Sequence, residues 1–597
     1  MIWTAAKFAG SGGFLRGSLV AAIALLIAGC GGSSTSSPSA SCAQPAVCTG
    51  PGCDINRVKH VIVLMQENES FDKYFGALPY APRMWPATST GKGPYHAPAE
   101  DGGPCAADDH RCVDGLTCGA VSGGELACSN GNPLLSYTPA PATSEATPTA
   151  CPTGLPHPSA SPTSTPAALF VPVHHQTVLC DQTDLVHDWT PEHMQVNLYN
   201  PNASLTGTMD GFATVSTQTY PYNPPSALDA LGYYTQQELP FYYALAQNFA
   251  VDDRYFSSVV GPTMPNRMYS MAATSFGHVV TDPEIDICGP VVYQPLTGTI
   301  FDLLDEAGIT WSEYHDNPND EYVNEFRCPP GPGCSQPGSF GEIFQGDCSF
   351  IAIASGQCEK QALPQVSFIE LGEDEHPPED VRDGEYQVSR VIKAVMAGPY
   401  WKDSVIFLTY DENGGSYDHV VPPPATPPDA ICPGQCNDQN GGIYCTAIQN
   451  GKGSSTSPYD GSLQSAELLW EYAQPGQSRA GFDQYGLRVP FTVISPFAKH
   501  GYISHGVADH TSMLAFIEKR FLKGRSLTAR DAAAYTLDDL FDFARSPSFC
   551  SRELVNFSVP SPSAQDCPGA ATPTPTSTAS SAPYCPLPTP PAPYPTP

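Results

Sequence analysis

The sequence predicts an α/β protein built on a mostly parallel sheet. Three observations carry the prediction. Short apolar, β-branched runs recur along the chain with the length of strands buried on both faces. Helical patterns lie between them, and strands that alternate with helices indicate parallel crossovers. Several runs stop abruptly at polar clusters, which is how an open α/β sheet builds a site at its carboxyl edge.

The chain has 597 residues, enough for one large core with insertions rather than four small domains. It holds 52 Gly and 63 Pro, and only 15% of it is charged, which fits a loop-rich extracytoplasmic protein. The net charge of −33 argues against nucleic acid as a partner, because phosphate backbones would be repelled, and against electrostatic docking on anionic membranes. Near the start, Lys7 and Arg16 precede an apolar run at 19–28 that is too short to span a bilayer and fits a signal h-region. Leu26-Ile27-Ala28-Gly29-Cys30, followed by a Gly/Ser tether, resembles a bacterial lipobox. That reading implies cleavage before Cys30 and a lipid anchor on its thiol; the other is an ordinary secretory signal beside a stray cysteine. Either way an exported protein is expected, in the cell envelope, lipid-anchored to the membrane or secreted. The organisation read from composition is a signal peptide at 1–29, a tether at 30–57, a folded body at 58–556 and a Pro/Thr/Ser-rich tail at 557–597. Of 21 cysteines, removing Cys30 leaves an even number, which in an exported chain reads as a disulfide framework. Cys105, Cys112, Cys118 and Cys128, and Cys432, Cys436 and Cys445, are spaced as local staples and lack the paired spacing of zinc clusters.

The elements follow in order. Residues 61–65 are a buried strand that ends at Gln66-Glu67-Asn68-Glu69, a cluster rich in side-chain oxygens. Residues 77–166 show little apolar periodicity and read as a disulfide-held insertion. Order returns at 170–173. A helix at 239–250 is marked by Pro240 in its first turn and by Phe241, Leu245 and Phe249 on one face. Residues 299–307 read as a helix leading to a strand at 309–311. Strands at 365–371 and 404–410 enclose a helix at 387–398, and a strand at 489–494 is followed by a helix at 511–521.

Four polar clusters carry the chemistry. The first is Glu67-Asn68. The second, Asp411-Glu412-Asn413-Gly414-Gly415, again follows an apolar strand. Side by side, Glu67, Asn68, Asp411 and Glu412 would offer hard oxygen donors that need a cation at short distance. Each cluster taken alone also reads as a helix cap or a turn. The third is Gly261-Pro262-Thr263-Met264-Pro265-Asn266-Arg267, where two prolines stiffen the chain around a hydroxyl that a metal can activate. Asn266 could donate to an anionic oxygen; the alternative is that Thr263 caps a helix and Arg267 sits in a salt bridge. The fourth is a set of histidines in polar stretches, His187, His193, His315 and His376, able to bind phosphate or act as acids.

Gln66-Glu67-Asn68-Glu69-Ser70-Phe71-Asp72-Lys73-Tyr74-Phe75-Gly76 resembles the opening motif of the bacterial phosphoesterase family that contains the non-specific phospholipases C and the respiratory-burst-inhibiting acid phosphatase. His187-Asp188-Trp189, Met209-Asp210-Gly211-Phe212, the Thr263 block, Glu375-His376-Pro377, Tyr410-Asp411-Glu412-Asn413-Gly414-Gly415 and Asp509-His510-Thr511-Ser512 resemble its later blocks, in the same order, from about residue 58 to 522. The resemblance implies a three-layer α/β/α sandwich with a mostly parallel central sheet, alkaline-phosphatase-like, carrying disulfide-rich insertions. It implies that Glu67, Asn68, Asp411, Glu412 and Thr263 hold one divalent metal cation, of which Ca, Mg, Mn, Fe and Zn stay open. Thr263 would be the covalent nucleophile, Asn266, His315 and His376 would bind phosphate oxygens, and His187 would protonate the leaving group. The implied substrate is a phosphate ester or phospholipid. An acid phosphatase acting only on monoesters and a non-catalytic surface binding protein are the alternatives. Glu69, where the family often has arginine, and Asn413, where phospholipase-type members often have histidine, depart from the pattern. A sulfatase-like relative is disfavoured because no Cys-x-Pro-x-Arg site is present.

Overall fold

The computed structural model describes residues 52–84, 91–99, 104–120, 126–134, 169–179, 184–198, 205–217, 227–275, 297–316, 339–372, 375–428, 482–544 and 554–559. The expected signal and lipid anchor at Cys30, the stretch 138–166, Cys432, Cys436 and Cys445, and the tail from 560 on lie outside these residues.

The first strand, β1, is His60–Gln66, and the short helix α1, Phe71–Phe75, follows it at once. Three small two-stranded ribbons come next in the fold: β2 (Cys118–Ala120) with β3 (Leu126–Cys128), β4 (Gly131–Leu134) with β5 (Leu169–Pro172), and β6 (His174–His175) with β7 (Gly232–Tyr233). Helices α2 (Trp189–Val196) and α3 (Phe212–Val215) sit within this region of the chain. The body then continues through α4 (Pro240–Asn248), β8 (Ala250–Asp252), α5 (Thr263–Ala272), α6 (Ile300–Ala307), β9 (Trp311–His315), β10 (Ser339–Glu342) and α7 (Phe350–Ala354). It closes with β11 (Val366–Glu370), α8 (Val381–Ala397), β12 (Ser404–Tyr410), β13 (Phe491–Ile494), β14 (Tyr502–Ser504), α9 (His510–Phe521) and α10 (Ala529–Ala532).

Among the described residues, eight strands form one sheet in the order β10-β9-β11-β1-β12-β13-β8-β14. Of these, only β13 is reversed, antiparallel to both β12 and β8. Helices α5, α6, α9 and α10 pack together, as do α4, α7 and α8, giving the α/β/α layering. The central strands are apolar because both faces are covered: Val61, Ile62, Leu64, Val405, Ile406 and Phe407 are wholly buried. Each such side chain contributes about 1.5–3 kcal/mol on burial.

Several bounds differ from those expected. Residue Ala250 begins β8 instead of ending α4. The 170–173 run is paired in a side ribbon, outside the main sheet. The strand expected at 309–311 runs Trp311–His315, so His315 is its last residue. Helix α8 starts six residues before the expected helix, where the Asp380 side chain accepts from the Arg382 N–H. Disulfides Cys105–Cys112 and Cys118–Cys128 are the expected staples, and Cys348–Cys358 is a third. The stapled segment is bound to the body: Arg488, fully buried, donates to the Asp114 carbonyl at 2.6 Å, and Arg254 reaches the Asp114 carboxylate at 3.5 Å.

Candidate active site

Strands β1 and β12 are parallel neighbours, and Gln66 stands opposite Tyr410. Glu67 and Asp411 therefore leave the sheet at the same level, on adjacent strands. The Asp411 Oδ1 atom accepts from the Asn68 N–H at 3.1 Å and from the Glu412 N–H at 2.7 Å, which ties the two strand ends together. Asn68 is left-handed, with φ 67°, a conformation asparagine tolerates better than most residues. The glycines that follow Asn413 are there for close approach. A Cβ on Gly414 would lie 2.4 Å from the Asn68 carbonyl oxygen, and one on Gly415 would lie 2.9 Å from that of Val186. Gly415 thereby admits the 185–187 loop against the second cluster.

Thr263 is the first residue of α5, and its hydroxyl donates to Glu67 Oε1 at 3.1 Å. A helix N-terminus supplies unpaired N–H groups and positive potential, both suited to an anion. One turn on, Arg267 is almost wholly buried and lies 3.2 Å from Glu67, 2.5 Å from Glu370 and 3.3 Å from Asp411. It offsets part of the negative charge that the strand ends concentrate.

Two histidines face this group. His187 Nε2 is 3.6 Å from Glu412 Oε1, and its Nδ1 bonds to the Leu185 carbonyl at 2.5 Å. Burial would lower its pKa, but Glu412, Asp184 and Asp188 overcome that and raise it to about 9. His376 Nε2 is 3.8 Å from Glu67 Oε1, with the two imidazole rings 6.3 Å apart. His315 ends β9, two strands from β1 with β11 between, and its register partner on β11 is Glu370. His193 bonds to the Trp189 carbonyl at 2.8 Å, and burial lowers its pKa to about 4, as in a structural histidine.

The expected role of Asn266 as a phosphate ligand is not what the geometry provides. Its amide NH₂ donates to the carbonyls of Gly261 at 2.7 Å and Pro262 at 3.1 Å, and its oxygen accepts from Ser258 and Val259 N–H groups. Both amide hydrogens are used, so Asn266 shapes the loop that presents Thr263. Asn413 likewise shapes its turn, donating to the Ser416 carbonyl at 2.9 Å. Glu69 is buried against Lys73 at 3.1 Å, so its charge is neutralised one turn along α1 instead of being added to the cluster.

The donor set fits a cation. Asn68 Oδ1 is buried and makes no hydrogen bond, while Asp411 Oδ2 and Glu412 Oε1 are met only by the cationic neighbours Arg267 at 3.3 Å and His187 at 3.6 Å. A buried oxygen without a hydrogen bond is rare and asks for a partner. Burial raises the pKa of both Asp411 and Glu412, and Glu67 adds to the rise at Asp411. All-oxygen ligation of this type suits a hard divalent ion. Asp184, His187 and His376 also bring ligand-type atoms within 4.8 Å of one another.

The sequence reading missed Glu370 and Glu192. Glu370 ends β11 and pairs with Arg267; its signal was the same as that of Glu67, a carboxylate at the end of an apolar strand. Glu192 is fully buried beside Glu412 and the Gly261 N–H. It lies within a polar helix, and nothing local marks it.

A hydroxyl, carboxylates and imidazoles gathered at the carboxyl edge of a parallel sheet are the equipment of a hydrolase of phosphoester bonds. Comparison with known proteins narrows that class: the chain belongs to the Phosphoesterase family, whose model matches residues 58–109 and 139–522. The internal stretch left unmatched, 110–138, is shorter than the insertion expected at 77–166. Among curated relatives, phospholipase C B of Mycobacterium tuberculosis is 27% identical over 82% of this chain and 79% of its own length. Non-specific phospholipase C5 of Arabidopsis thaliana is 28% identical over 64% of this chain and 68% of its own. The non-hemolytic phospholipase C of Pseudomonas aeruginosa is 30% identical over 54% of this chain and 44% of its own. Among solved structures, murine ectonucleotide pyrophosphatase/phosphodiesterase 5 aligns over 51% of this chain and 94% of its own at 12% identity, with a TM-score of 0.29. The chain is a hydrolase acting on phosphoester bonds. No helix among the described residues is long and apolar enough to cross a membrane.

Proposed function

We propose that the chain is an exported, metal-dependent phosphoesterase of the phospholipase C type that works through a phosphothreonine at residue 263. The single observation that carries the reading is the contact of the Thr263 hydroxyl with Glu67 inside the buried oxygen cluster of Glu67, Asn68, Asp411 and Glu412. These residues and Thr263 would hold a divalent cation, which would lower the pKa of the hydroxyl and offset charge on the phosphate. The chain's own groups do the rest. The N-terminus of α5 and His376, with His315 further out, receive the phosphate oxygens. Thr263 Oγ1 attacks phosphorus as its proton leaves along the bond to Glu67, and the bond from phosphorus to the leaving oxygen breaks. A protonated His187, with Asp184 3.5 Å from its Nδ1, gives its proton to that oxygen. Water then attacks the phosphothreonine, neutral His187 takes the water proton, and the Thr263 oxygen leaves and recovers its own.

The test is hydrolysis by the purified chain of p-nitrophenyl phosphate and p-nitrophenylphosphorylcholine, with metal analysis of the same sample. Turnover that prefers the phosphorylcholine ester and is lost on chelation supports the reading. Hydrolysis of the monoester alone assigns the chain to the acid phosphatases. No turnover of either substrate by metal-loaded protein overturns the reading.

A further inference from the structure

One buried carboxylate outside the cluster is bound more elaborately than any fold requirement explains. Glu375 is fully buried. Its Oε2 accepts from the Tyr74 hydroxyl at 2.5 Å and the Tyr410 hydroxyl at 2.7 Å, and its Oε1 accepts from the Tyr242 hydroxyl. The side chain of Gln66 bears on it as well. All three tyrosines are buried. The carboxylate also has a place reserved for it: a Cβ on Gly384 of α8 would lie 2.6 Å from its Oε1. Its backbone is left-handed, with φ 77°, a conformation unfavourable for a non-glycine residue. Strain of this kind persists where the surroundings over-determine it.

The partners show what the carboxylate joins. Tyr410 is the last residue of β12, directly before Asp411. Gln66 is the last residue of β1, directly before Glu67. Tyr74 lies in α1, which begins three residues after Asn68. Tyr242 lies in the first turn of α4, whose Phe241 and Tyr242 N–H groups are held by Glu385 at 2.7 and 3.2 Å. Glu375 itself precedes His376, whose Nδ1 is bonded to the Pro377 carbonyl at 2.6 Å and whose Nε2 lies near Glu67. One carboxylate therefore fastens the root of the Asp411 strand end, and the helix α1 that follows the Glu67 one, to the loop that carries His376.

We propose that Glu375 is a positioning residue that sets His376 at its working distance from the nucleophile cluster. The inference rests on the reading of His376 as a phosphate-binding group. Glu375 touches no reacting atom and acts only through its neighbour. A single hydrogen-bonded anchor of this kind is worth about tenfold to a hundredfold in rate when it holds a reacting group in register.

A double-mutant cycle on the metal-loaded full chain tests it, with kcat and KM measured for Glu375→Gln, His376→Ala and the pair, and with melting temperature and metal content recorded for each. The expected result is a loss in kcat/KM of about tenfold or more in Glu375→Gln with metal content unchanged, shrinking to less than about twofold when His376 is already alanine. An equal loss in both backgrounds would mean a purely structural role and overturns the proposal, as does wild-type activity in Glu375→Gln. Wild-type activity in His376→Ala instead overturns the reading beneath it, so the two failures are distinguishable. If Glu375→Gln does not fold, Tyr242→Phe removes one of the three donors and is run through the same cycle, with the same criterion.

Discussion

Thr263 is the nucleophile of the proposed mechanism, and its neighbours make the predicted effect of losing it specific. Its hydroxyl makes one bond, to Glu67, and its helix has no side-chain N-cap that depends on it. Thr263→Ala should therefore leave melting temperature within a degree or two and reduce turnover by about a thousandfold or more. Retained turnover would remove Thr263 from the nucleophile position. Arg267 makes the opposite prediction. It reaches three carboxylates, Glu67, Glu370 and Asp411, from a site 1% exposed. Arg267→Met leaves those charges buried and unpaired, an expected destabilisation of about 3–5 kcal/mol in metal-free protein. A divalent cation bound at the proposed site would supply the missing charge, so its addition should raise the melting temperature of the variant more than that of the wild type. Equal gains would show that the cation does not bind among these carboxylates.

The two strand ends act as one element, and the glycines behind Asp411 are what let them close. Gly414 has φ 58°, and a Cβ there would strike the Asn68 carbonyl. Gly414→Ala should cost about 1–2 kcal/mol from the backbone alone. It should also push Asn68 out of place, weakening divalent-cation affinity, measured by chelator competition, by about tenfold or more. Unchanged affinity would exclude Asn68 from the cation site. The strands that carry this arrangement were legible in the sequence because the interiors of β1 and β12, 61–65 and 405–408, are apolar and carboxylates follow the strand ends. β8 and β14 were not, because three residues such as Ala250–Asp252 or Tyr502–Ser504 carry no period and owe their pairing to neighbours distant in sequence. Helix α8 was read short because its first turns hold Arg382, Asp383 and Gly384, and the Gly384 gap makes sense only once Glu375 fills it. At the site the same division holds. Glu67, Asn68, Asp411, Glu412 and Thr263 announce themselves locally as strand ends and a stiffened turn. The Arg267 bridges and the Glu375 anchor join residues 103 or more apart in most cases, and no local pattern encodes such contacts.

Across the whole molecule, buried titratable groups displaced from their ordinary values set where the fold is most stable. Burial raises Glu375 to about 7, against partial relief from its tyrosine bonds, and raises Glu385 to about 8. Burial and the neighbouring Asp531 raise Glu518 to about 10. A carboxyl raised in the folded state favours the protonated form, so its contribution is complete below about pH 4.5 and is lost as pH climbs through the folded value. His419 falls on the same side. Burial would lower it, but Asp72 and Asp114 raise it to about 10, and its contribution is present below about 6.5 and lost on passing 10. Asp114 opposes them at the acid end: despite burial, His419 and Arg488 hold it well below the usual carboxylate range, so its contribution is lost as pH falls below about 3.8. All of these groups act together only between about pH 4 and 5, and Glu375 and Glu385 are the first to be lost on the way to pH 8. Ionisation of further carboxyls on a chain of net charge −33 adds self-repulsion in the same direction. The melting temperature should therefore peak near pH 4–5 and fall by several degrees by pH 8. Glu385→Gln isolates one contributor, because a neutral amide oxygen can still accept from the Phe241 and Tyr242 N–H groups. Its loss of unfolding free energy between pH 5 and 8 should be smaller than that of the wild type by an amount on the order of 1–3 kcal/mol. A wild-type melting curve that is flat across that range, or that rises towards pH 8, would show that these carboxyls ionise freely in the folded protein.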